Sequence, residues 1–217
     1  MNPSTLEVLT EQLELADALQ TGRDRMLEPQ DLPGRYGRVV RAVDHLLGVL
    51  GCESVLAGGW AVWRHGYVGR VTQDVDIVLP ADRIDEFLQA ASVSGFEIPP
   101  QPAGRWPKVH HKQTDVTVDV LPEGGRPGSS SHPAPTTIPH PIVLGADVGI
   151  LRYIHLRGLI EVKLGAGRGR DESDVIELER ANMERADAIR QHLESVHSDY
   201  VAAFDRLVDR AREQEDM

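Results

Sequence analysis

Hydrophobic residues recur every three to four positions towards both ends of this chain, and this spacing predicts amphipathic helices. The first pattern follows Ser4 and Glu7, which have the spacing of a capping box, and it ends at Gly22. The last pattern continues from 184 to 212 and predicts one long helix. Together, these patterns predict helices over 4–21, 34–50, 84–91, 156–164, 171–180 and 184–212.

The middle of the chain carries short runs rich in β-branched residues, bounded by glycine and proline, which predict strands over 55–57, 73–79, 96–98 and within 109–121. A Gly-, Ser- and Pro-rich segment over 122–141 follows, and its composition predicts a mobile loop that adds nothing to the core. The predicted fold class is therefore α/β. We divide the chain into an N-terminal helical lead-in (1–30), an α/β core (31–146) and a helical C-terminal subdomain (147–217).

Composition narrows the classes of function. The chain has 217 residues, a formal net charge of −11 and one cysteine, Cys52. The charge disfavours non-specific attraction to nucleic acid and adsorption to membranes, although a local basic cleft can still bind phosphates. A single cysteine excludes an intrachain disulfide framework and a multi-cysteine metal site. Because no apolar run is long enough to span a bilayer and Met1 to Leu9 lacks a targeting pattern, we expect a cytoplasmic protein.

The clearest candidate chemistry lies in Gly58-Gly59 and in Asp74-Val75-Asp76. Two glycines at a strand-to-helix turn let the backbone approach a phosphate closely, although a tight turn alone would also explain them. Asp74 and Asp76 lie two apart on a predicted strand and project from the same face. Two unit charges 4 Å apart repel by about 4 kcal/mol at an effective dielectric near 20, so a divalent metal would relieve this face. Exposure of both aspartates on an edge strand is the alternative.

A third acidic residue, Asp119, lies among β-forming residues on the strand predicted to end at Leu121. If this strand pairs beside the one that carries Asp74 and Asp76, three carboxylates converge on one point, as two-metal phosphoryl chemistry requires. The alternative is a carboxylate that faces solvent.

These residues resemble the signature of the DNA polymerase β-like nucleotidyltransferase superfamily. A further part of the chain, Lys163 within 159–164 followed by Arg168, Arg170, Asp171 and Asp174, is similar to the lysine and Arg-Asp-x-x-Asp motifs of AbiEii-type nucleotidyltransferases, a branch that includes toxins of toxin–antitoxin systems. The resemblance covers about residues 38–180. It implies a mixed β-sheet flanked by helices, with 31–146 as the nucleotidyltransferase core.

The resemblance also implies roles for individual residues. Asp74, Asp76 and Asp119 would be catalytic and would bind two Mg²⁺ ions, with Mn²⁺ as a substitute. The residues implied to bind the nucleotide are Gly58, Gly59, Arg70, Thr72, Lys163, Arg168, Asp171 and Asp174.

The sequence also allows purely structural roles for some of these charged residues. Lys163 continues an apolar stripe and either faces inward to meet an anion or extends outward along its aliphatic stem. Asp171 and Asp174 could simply favour the first turn of the following helix.

The sequence predicts ordinary structural roles for several nearby residues. Trp60 and Trp63 are predicted to pack in the core. His110 and His111 face opposite sides of a strand and cannot jointly chelate one metal. Solvated positions at strand ends are predicted for Arg105, Lys108, His110 and Lys112. The alternative is that these residues form a basic rim that binds the acceptor.

The leading hypothesis is an enzyme that moves a nucleoside monophosphate from a nucleoside triphosphate, such as ATP, to an acceptor hydroxyl and releases pyrophosphate. Our first choice of acceptor is a tRNA or a protein, with the enzyme acting as a toxin beside an antitoxin protein. The alternatives are a small-molecule, antibiotic-type nucleotidyltransferase and a non-catalytic nucleotide-binding interaction module. The long C-terminal helix is equally suited to form a homodimer seam and to cap the core.

Overall fold

The computed structural model describes residues 5–102, 104–145 and 149–215; Ser4 of the predicted capping box lies outside these ranges. The strands are β1 (Ser54–Leu56), β2 (Asp74–Leu79), β3 (Phe96–Glu97), β4 (Lys108–His111), β5 (Val116–Pro122) and β6 (Leu151–Tyr153). The α-helices are α1 (Thr5–Gln20), α2 (Gly34–Leu50), α3 (Gly58–Arg64), α4 (Ile84–Val93), α5 (Pro141–Leu144), α6 (Leu156–Ala166), α7 (Gly169–Arg180), α8 (Ala186–Val196) and α9 (Ser198–Glu215). Short 3₁₀ helices cover Pro29–Asp31, Ala81–Arg83 and Met183–Arg185.

The described strands form one mixed sheet in the order β3-β4-β5-β2-β1-β6. Strand β2 runs parallel to β5 and β1 runs parallel to β6, whereas the other neighbours are antiparallel. Helix α2 packs on α4 and β5, while helices α6 to α9 pack on one another. The predicted α/β class, with a mixed sheet flanked by helices, is confirmed.

Alternation along β2 and β5 determines which residues face the core. Val75 and Ile77 are fully buried, whereas Asp74 and Asp76, which alternate with them, are partly exposed. On β5, Val118 is fully buried and Asp119 is partly exposed. Because successive side chains of a strand point to opposite faces, the hydrophobic core places the aspartates on the other face of the sheet.

The segment predicted as a helical C-terminal subdomain (147–217) also contains strand β6, which pairs with β1. The sheet therefore extends past the boundary expected at residue 146. This strand has only three residues, with Arg152 at its centre, so it lacks the run of β-branched residues that predicts a strand.

The single helix predicted over 184–212 is wrong, because His197 has an extended backbone that separates α8 from α9. Both helices bury their hydrophobic faces against α6 and each other, so the hydrophobic period continues across the break. None of the described helices is both long and apolar enough to cross a membrane.

The expectation that segment 122–141 adds nothing to the core is wrong. Ile138 and Ala134 are buried, with 2% and 4% of their surface exposed. The segment folds back on itself, since the backbone N–H of Gly124 donates to Ile138 O and that of Ile138 donates to Gly125 O. These hydrogen bonds pair backbone groups of the segment, so the side chains of Ala134 and Ile138 can be buried without leaving those groups unpaired.

Candidate active site

The Gly58-Gly59 turn joins β1 to α3 at the edge of the aspartate face. Gly58 has a φ of +61°, a conformation that residues with a Cβ rarely adopt. A methyl group on Gly58 would overlap the Asp76 carboxylate, and one on Gly59 would overlap the side chains of Thr72 and Arg70. The turn therefore needs glycine at both positions to lie this close to the acidic strand.

Asp76 and Asp119 are direct neighbours across the parallel pair of β2 and β5, since their Cα positions are register partners. Asp74 lies two residues earlier on the same face and is near the hydroxyl of Thr72, with 3.5 Å between Oγ1 and Oδ1. The three carboxylates thus share one surface of the sheet.

The electrostatics of this surface favour a cation. Burial, together with the charges of Asp74 and Asp119, raises the pKa of Asp76 to about 7. Burial also raises the pKa of Asp119, although Lys108 opposes the shift through a hydrogen bond and its charge. At neutral pH, Asp76 is therefore close to its titration midpoint.

The predicted convergence of all three carboxylates on one point is not seen. Among residues 5–102, 104–145 and 149–215, no three His, Cys, Asp or Glu side chains are grouped closely enough to hold one ion. Lys108 lies opposite Asp119 on β4, with its Nζ 3.0 Å from Asp119 Oδ2 and 2.8 Å from Oδ1. This ion pair offsets the charge of Asp119.

Four charged residues beside the glycine turn form a buried network. The ammonium of Lys163 donates to Asp174 Oδ2 at 2.6 Å and to Asp171 Oδ1 at 3.0 Å, and Arg70 Nε donates to Asp174 Oδ1 at 2.7 Å. The side chain of Lys163 is only 6% exposed, so it faces inward and does not extend to solvent. Asp174 therefore holds both cations in place.

Arg168 approaches the same network from its exposed side and donates to Asp171 Oδ2 at 2.6 Å. Burial alone would raise the pKa of Asp171, but the hydrogen bond from Arg168 and the charge of Lys163 hold it below its ordinary value. Asp171 lies in the first turn of α7, as the helix-terminus interpretation requires, and also pairs with Lys163 and Arg168, whereas Asp174 lies beyond the first turn. The two interpretations are therefore compatible for Asp171.

These elements enclose a cleft of about 1290 Å³. The predicted site residues that line it are Gly58, Gly59, Arg70, Asp74, Asp76, Asp119, Lys163, Arg168 and Asp171. Thr72 and Asp174 do not line it: both are buried, Asp174 accepts hydrogen bonds from Lys163 and Arg70, and Thr72 Oγ1 lies against Asp74 Oδ1. In this structure these two residues support their neighbours and do not face the cleft.

No protein-family model matches the chain, and no curated protein matches it. A crystal structure of ANT(2″)-Ia in complex with adenylyl-2″-tobramycin is similar, at 16% sequence identity and a TM-score of 0.48, over 78% of this chain and 96% of that chain. A solution structure of the antibiotic-resistance factor ANT(2″)-Ia is also similar, at 13% identity and a TM-score of 0.39, over 78% and 80% of the two chains. Neither is described as an AbiEii-type protein, so membership of that branch stays a prediction.

The cleft has a second side, opposite the glycine turn, that sequence patterns indicated only in part. Arg105 and Lys108 of the expected basic rim line it, whereas His110 instead pairs with Asp115, with 2.7 Å between Nε2 and Oδ1. Arg126 and Trp106 also line this side. Sequence reasoning missed them because they lie in Pro- and Gly-rich segments without periodicity.

Gln12 of α1 is another residue that sequence reasoning missed. Its side chain is buried and bonds to both backbone groups of Thr72, donating to the carbonyl and accepting from the N–H at 3.2 Å. Tyr36 Oη donates to the same carbonyl at 3.2 Å. A polar residue in a helical pattern carries no local signal of such a distant partner.

Proposed function

We propose that this protein transfers a nucleoside monophosphate from a nucleoside triphosphate to a hydroxyl group of an acceptor, with release of pyrophosphate. The observation that carries this proposal is the register pairing of Asp76 with Asp119 on parallel strands beside the Gly58-Gly59 turn. This arrangement places a pair of carboxylates, which can bind metal ions, beside a turn whose backbone a phosphate can approach closely.

The carboxylate oxygens of the aspartate face are the type of donor that magnesium prefers. Asp74, Asp76 and Asp119 supply hard carboxylate oxygens; burial and the charges of Asp74 and Asp119 raise the pKa of Asp76, and a bound cation would offset both effects. Asp119 would join the set by exchanging Lys108 for the ion. When bound, magnesium would neutralise charge on the phosphoryl oxygens and lower the pKa of the acceptor hydroxyl.

The residues of this chain would position the donor and receive a proton. The α-phosphorus forms a bond to the acceptor oxygen while its bond to the β-phosphate oxygen breaks, and pyrophosphate leaves. The hydroxyl proton passes to a carboxylate oxygen of Asp119. Lys163, Arg70 and Arg168, oriented by Asp171 and Asp174, would attract the departing phosphates.

A small-molecule acceptor fits the cleft better than a folded macromolecule does. Ligand sites for drug-sized molecules measure roughly 300–1,000 Å³, and this cleft of about 1290 Å³ offers room for a nucleotide and a second small molecule. ANT(2″)-Ia, whose crystal structure holds adenylyl-2″-tobramycin, provides one example of a small-molecule product. The toxin hypothesis, with a tRNA or a protein as acceptor and an antitoxin partner, stays the second candidate.

The test begins with the donor. We expect a nucleoside triphosphate to bind the purified protein in a magnesium-dependent way in isothermal titration. This binding should be lost in the double variant Asp74→Ala/Asp76→Ala and kept in Asp187→Asn, an exposed aspartate on α8. Magnesium-independent binding that the double variant retains would contradict the assignment of these aspartates.

Transfer is then measured with radiolabelled nucleotide against small hydroxyl compounds, RNA and protein. A labelled small molecule supports the main proposal, whereas label in RNA or protein supports the toxin hypothesis. Triphosphate binding without transfer to any of these acceptors would favour the interaction module.

A further inference from the structure

We propose that the acceptor carries a phosphate group, bound by Arg105, Arg126 and Lys108 on the side of the cleft opposite the Gly58-Gly59 turn. This inference deepens the proposed function and depends on it, since it names the chemistry of the acceptor. It excludes a polycationic acceptor such as an aminoglycoside.

The three cations belong to segments that adjoin one another. Lys108 begins β4, and Arg105 lies three residues before it. A methyl group on Gly125 would lie 3.4 Å from Trp106 Cε2, so the chain before β4 passes next to the chain after β5. Arg105 and Arg126 each directly adjoin this contact, and all three cations line the same cleft.

The segment that carries Arg126 closes the cleft between the sheet and α6. A methyl group on Gly165 of α6 would lie 3.5 Å from both Pro127 Cγ and Ala134 Cβ. Arg126 Nη1 donates to the carbonyls of Ala134 and Pro135 at 2.7 and 3.1 Å. These bonds fix part of the guanidinium and leave its other N–H groups for a ligand.

The charges on the two sides of the cleft differ in how they are balanced. On the glycine-turn side, Arg70, Lys163 and Arg168 each pair with Asp171 or Asp174. On the opposite side, neither Arg105 nor Arg126 has a carboxylate within ion-pair distance among the residues the structure describes. Only Lys108 is paired there, with Asp119.

The surrounding sequence contrasts with the rest of the chain. The protein has 34 acidic residues and a net charge of −11, yet residues 98–114 and 124–146 contain no aspartate or glutamate. Because Asp119 is the one acidic residue paired with these three cations among the described residues, the surface has a net positive charge that would repel a polyamine and attract an anion. Arginine presents several N–H groups in a planar arrangement that matches a phosphate, so two arginines and a lysine suit a phosphate dianion.

Lys108 links this phosphate site to the proposed chemistry. Its ammonium lies between the basic side of the cleft and Asp119, to which it is bonded in this structure. A phosphate on the acceptor would draw Lys108 from Asp119 and leave that carboxylate for metal and for the acceptor proton. Acceptor binding and preparation of Asp119 would therefore be coupled.

The experiment compares a neutral sugar, its phosphorylated form, a polycation and a nucleic acid. Binding of ribose, ribose 5-phosphate, tobramycin and a short RNA oligonucleotide with a free 3′-hydroxyl is measured by isothermal titration at two salt concentrations. The proteins are the wild type, Arg105→Gln, Arg105→Gln/Arg126→Gln, and the control Arg185→Gln, whose arginine is exposed and distant in sequence from the cleft segments. Thermal melts verify that each variant is folded; Arg105→Gln provides a second test if loss of the Arg126 hydrogen bonds prevents folding.

We expect ribose 5-phosphate or the RNA to bind at least about tenfold more tightly than ribose, with the advantage lost in the arginine variants and kept in the control. Tighter binding of ribose 5-phosphate would identify a free phosphorylated compound as the source of the phosphate, and tighter binding of the RNA a nucleic acid end. A preference for tobramycin, no effect of phosphate, or an effect that survives in the arginine variants would overturn the inference.

Nucleoside triphosphate binding, measured on the same proteins, separates the two levels of the proposal. We expect the arginine variants to retain it and Asp74→Ala/Asp76→Ala to lose it. Phosphate binding that depends on the arginines, in a wild type that binds no triphosphate, would overturn the proposed function and with it the acceptor role of this phosphate site.

Discussion

At the scale of single residues, the burial of Asp76 opposes the ionisation of its carboxylate. Its Cα lies in a strand whose alternate residues are fully buried, and its carboxylate lies against the glycine turn and near two other aspartates. The fold therefore raises its pKa to about 7 from an ordinary 3.8. A group with a raised pKa stabilises the fold while it is protonated, and this contribution is lost as pH rises through that pKa.

The substitution Asp76→Asn separates stability from activity. Without metal, the stabilising contribution of protonated Asp76 is full below about pH 3.8 and is lost as pH rises through about 7. An amide cannot ionise, so we expect the variant to melt at least as high as the wild type at pH 8. Nucleotidyl transfer should fall by about a hundredfold or more.

Thermal melts at pH 5.5 and 8 in chelator, together with a labelled-nucleotide transfer assay, check both expectations. Full transfer activity in the folded variant would remove Asp76 from the catalytic set. Melting well below the wild type at pH 8 would show that its carboxylate is structural.

At the scale of secondary-structure elements, helix α1 acts on the site although it lies outside the region of family resemblance. Gln12 bonds to both backbone groups of Thr72, and Glu11 on the same helix pairs with Arg35 Nε at 2.7 Å. Thr72 lies between Arg70 and Asp74, so α1 fixes the backbone that presents both side chains. We therefore regard Gln12 as a positioning residue, and we assign α1 to the α/β core and not to a separate lead-in.

Replacement of Gln12 by alanine should test this role. The change leaves the N–H of Thr72 without its partner in a buried region, which costs about 1–3 kcal/mol of unfolding free energy. Because Arg70 and Asp74 become less well oriented, we expect kcat to fall more than the apparent triphosphate affinity. The exposed Gln20→Ala on the same helix is the control.

Urea unfolding and steady-state kinetics of both variants supply the measurements. Gln12→Glu keeps an acceptor for the Thr72 N–H and should recover part of the activity. Equal losses of stability in Gln12→Ala and Gln20→Ala would contradict a specific role for Gln12.

At the scale of the whole molecule, His65 joins the sheet to the C-terminal helices. Its Nε2 donates to Ile154 O at 2.8 Å, and its own carbonyl accepts from Asn182 Nδ2 at 2.7 Å. The residue thus connects the end of α3 with the end of β6 and the end of α7. Burial lowers the pKa of its imidazole to about 4, so the ring is neutral at physiological pH.

Acidification should therefore weaken the whole fold through His65. A lowered pKa means that stability is complete above pH 6.5 and is lost as pH falls through about 4, because the unfolded chain binds the proton more readily. Between pH 7 and pH 4.5, we expect the unfolding free energy of the wild type to fall by about 1–3 kcal/mol more than that of His65→Gln. Urea titrations at both pH values check this difference, with the exposed His45→Gln as control. Parallel pH profiles for wild type and His65→Gln would contradict it.

The local pattern of residues was enough to predict the secondary structure around the site and the residues that face it. Alternation on β2 buries Val75 and Ile77, which places Asp74 and Asp76 on the opposite face. The paired glycines predicted a tight turn between β1 and α3, and Trp60 and Trp63 are buried as expected. Such features follow from backbone geometry over a few residues, so a short stretch of sequence is sufficient to determine them.

Only the tertiary structure decided which distant segments meet. The pairing of β2 with β5 and the addition of β6 to the sheet beside β1 each join residues far apart in the chain. The hydrophobic period could not reveal the break at His197 either, because α8 and α9 bury the same kind of face. Many strand orders would satisfy the same local patterns, and the one adopted depends on how all the hydrophobic faces pack together, which no single stretch of sequence specifies.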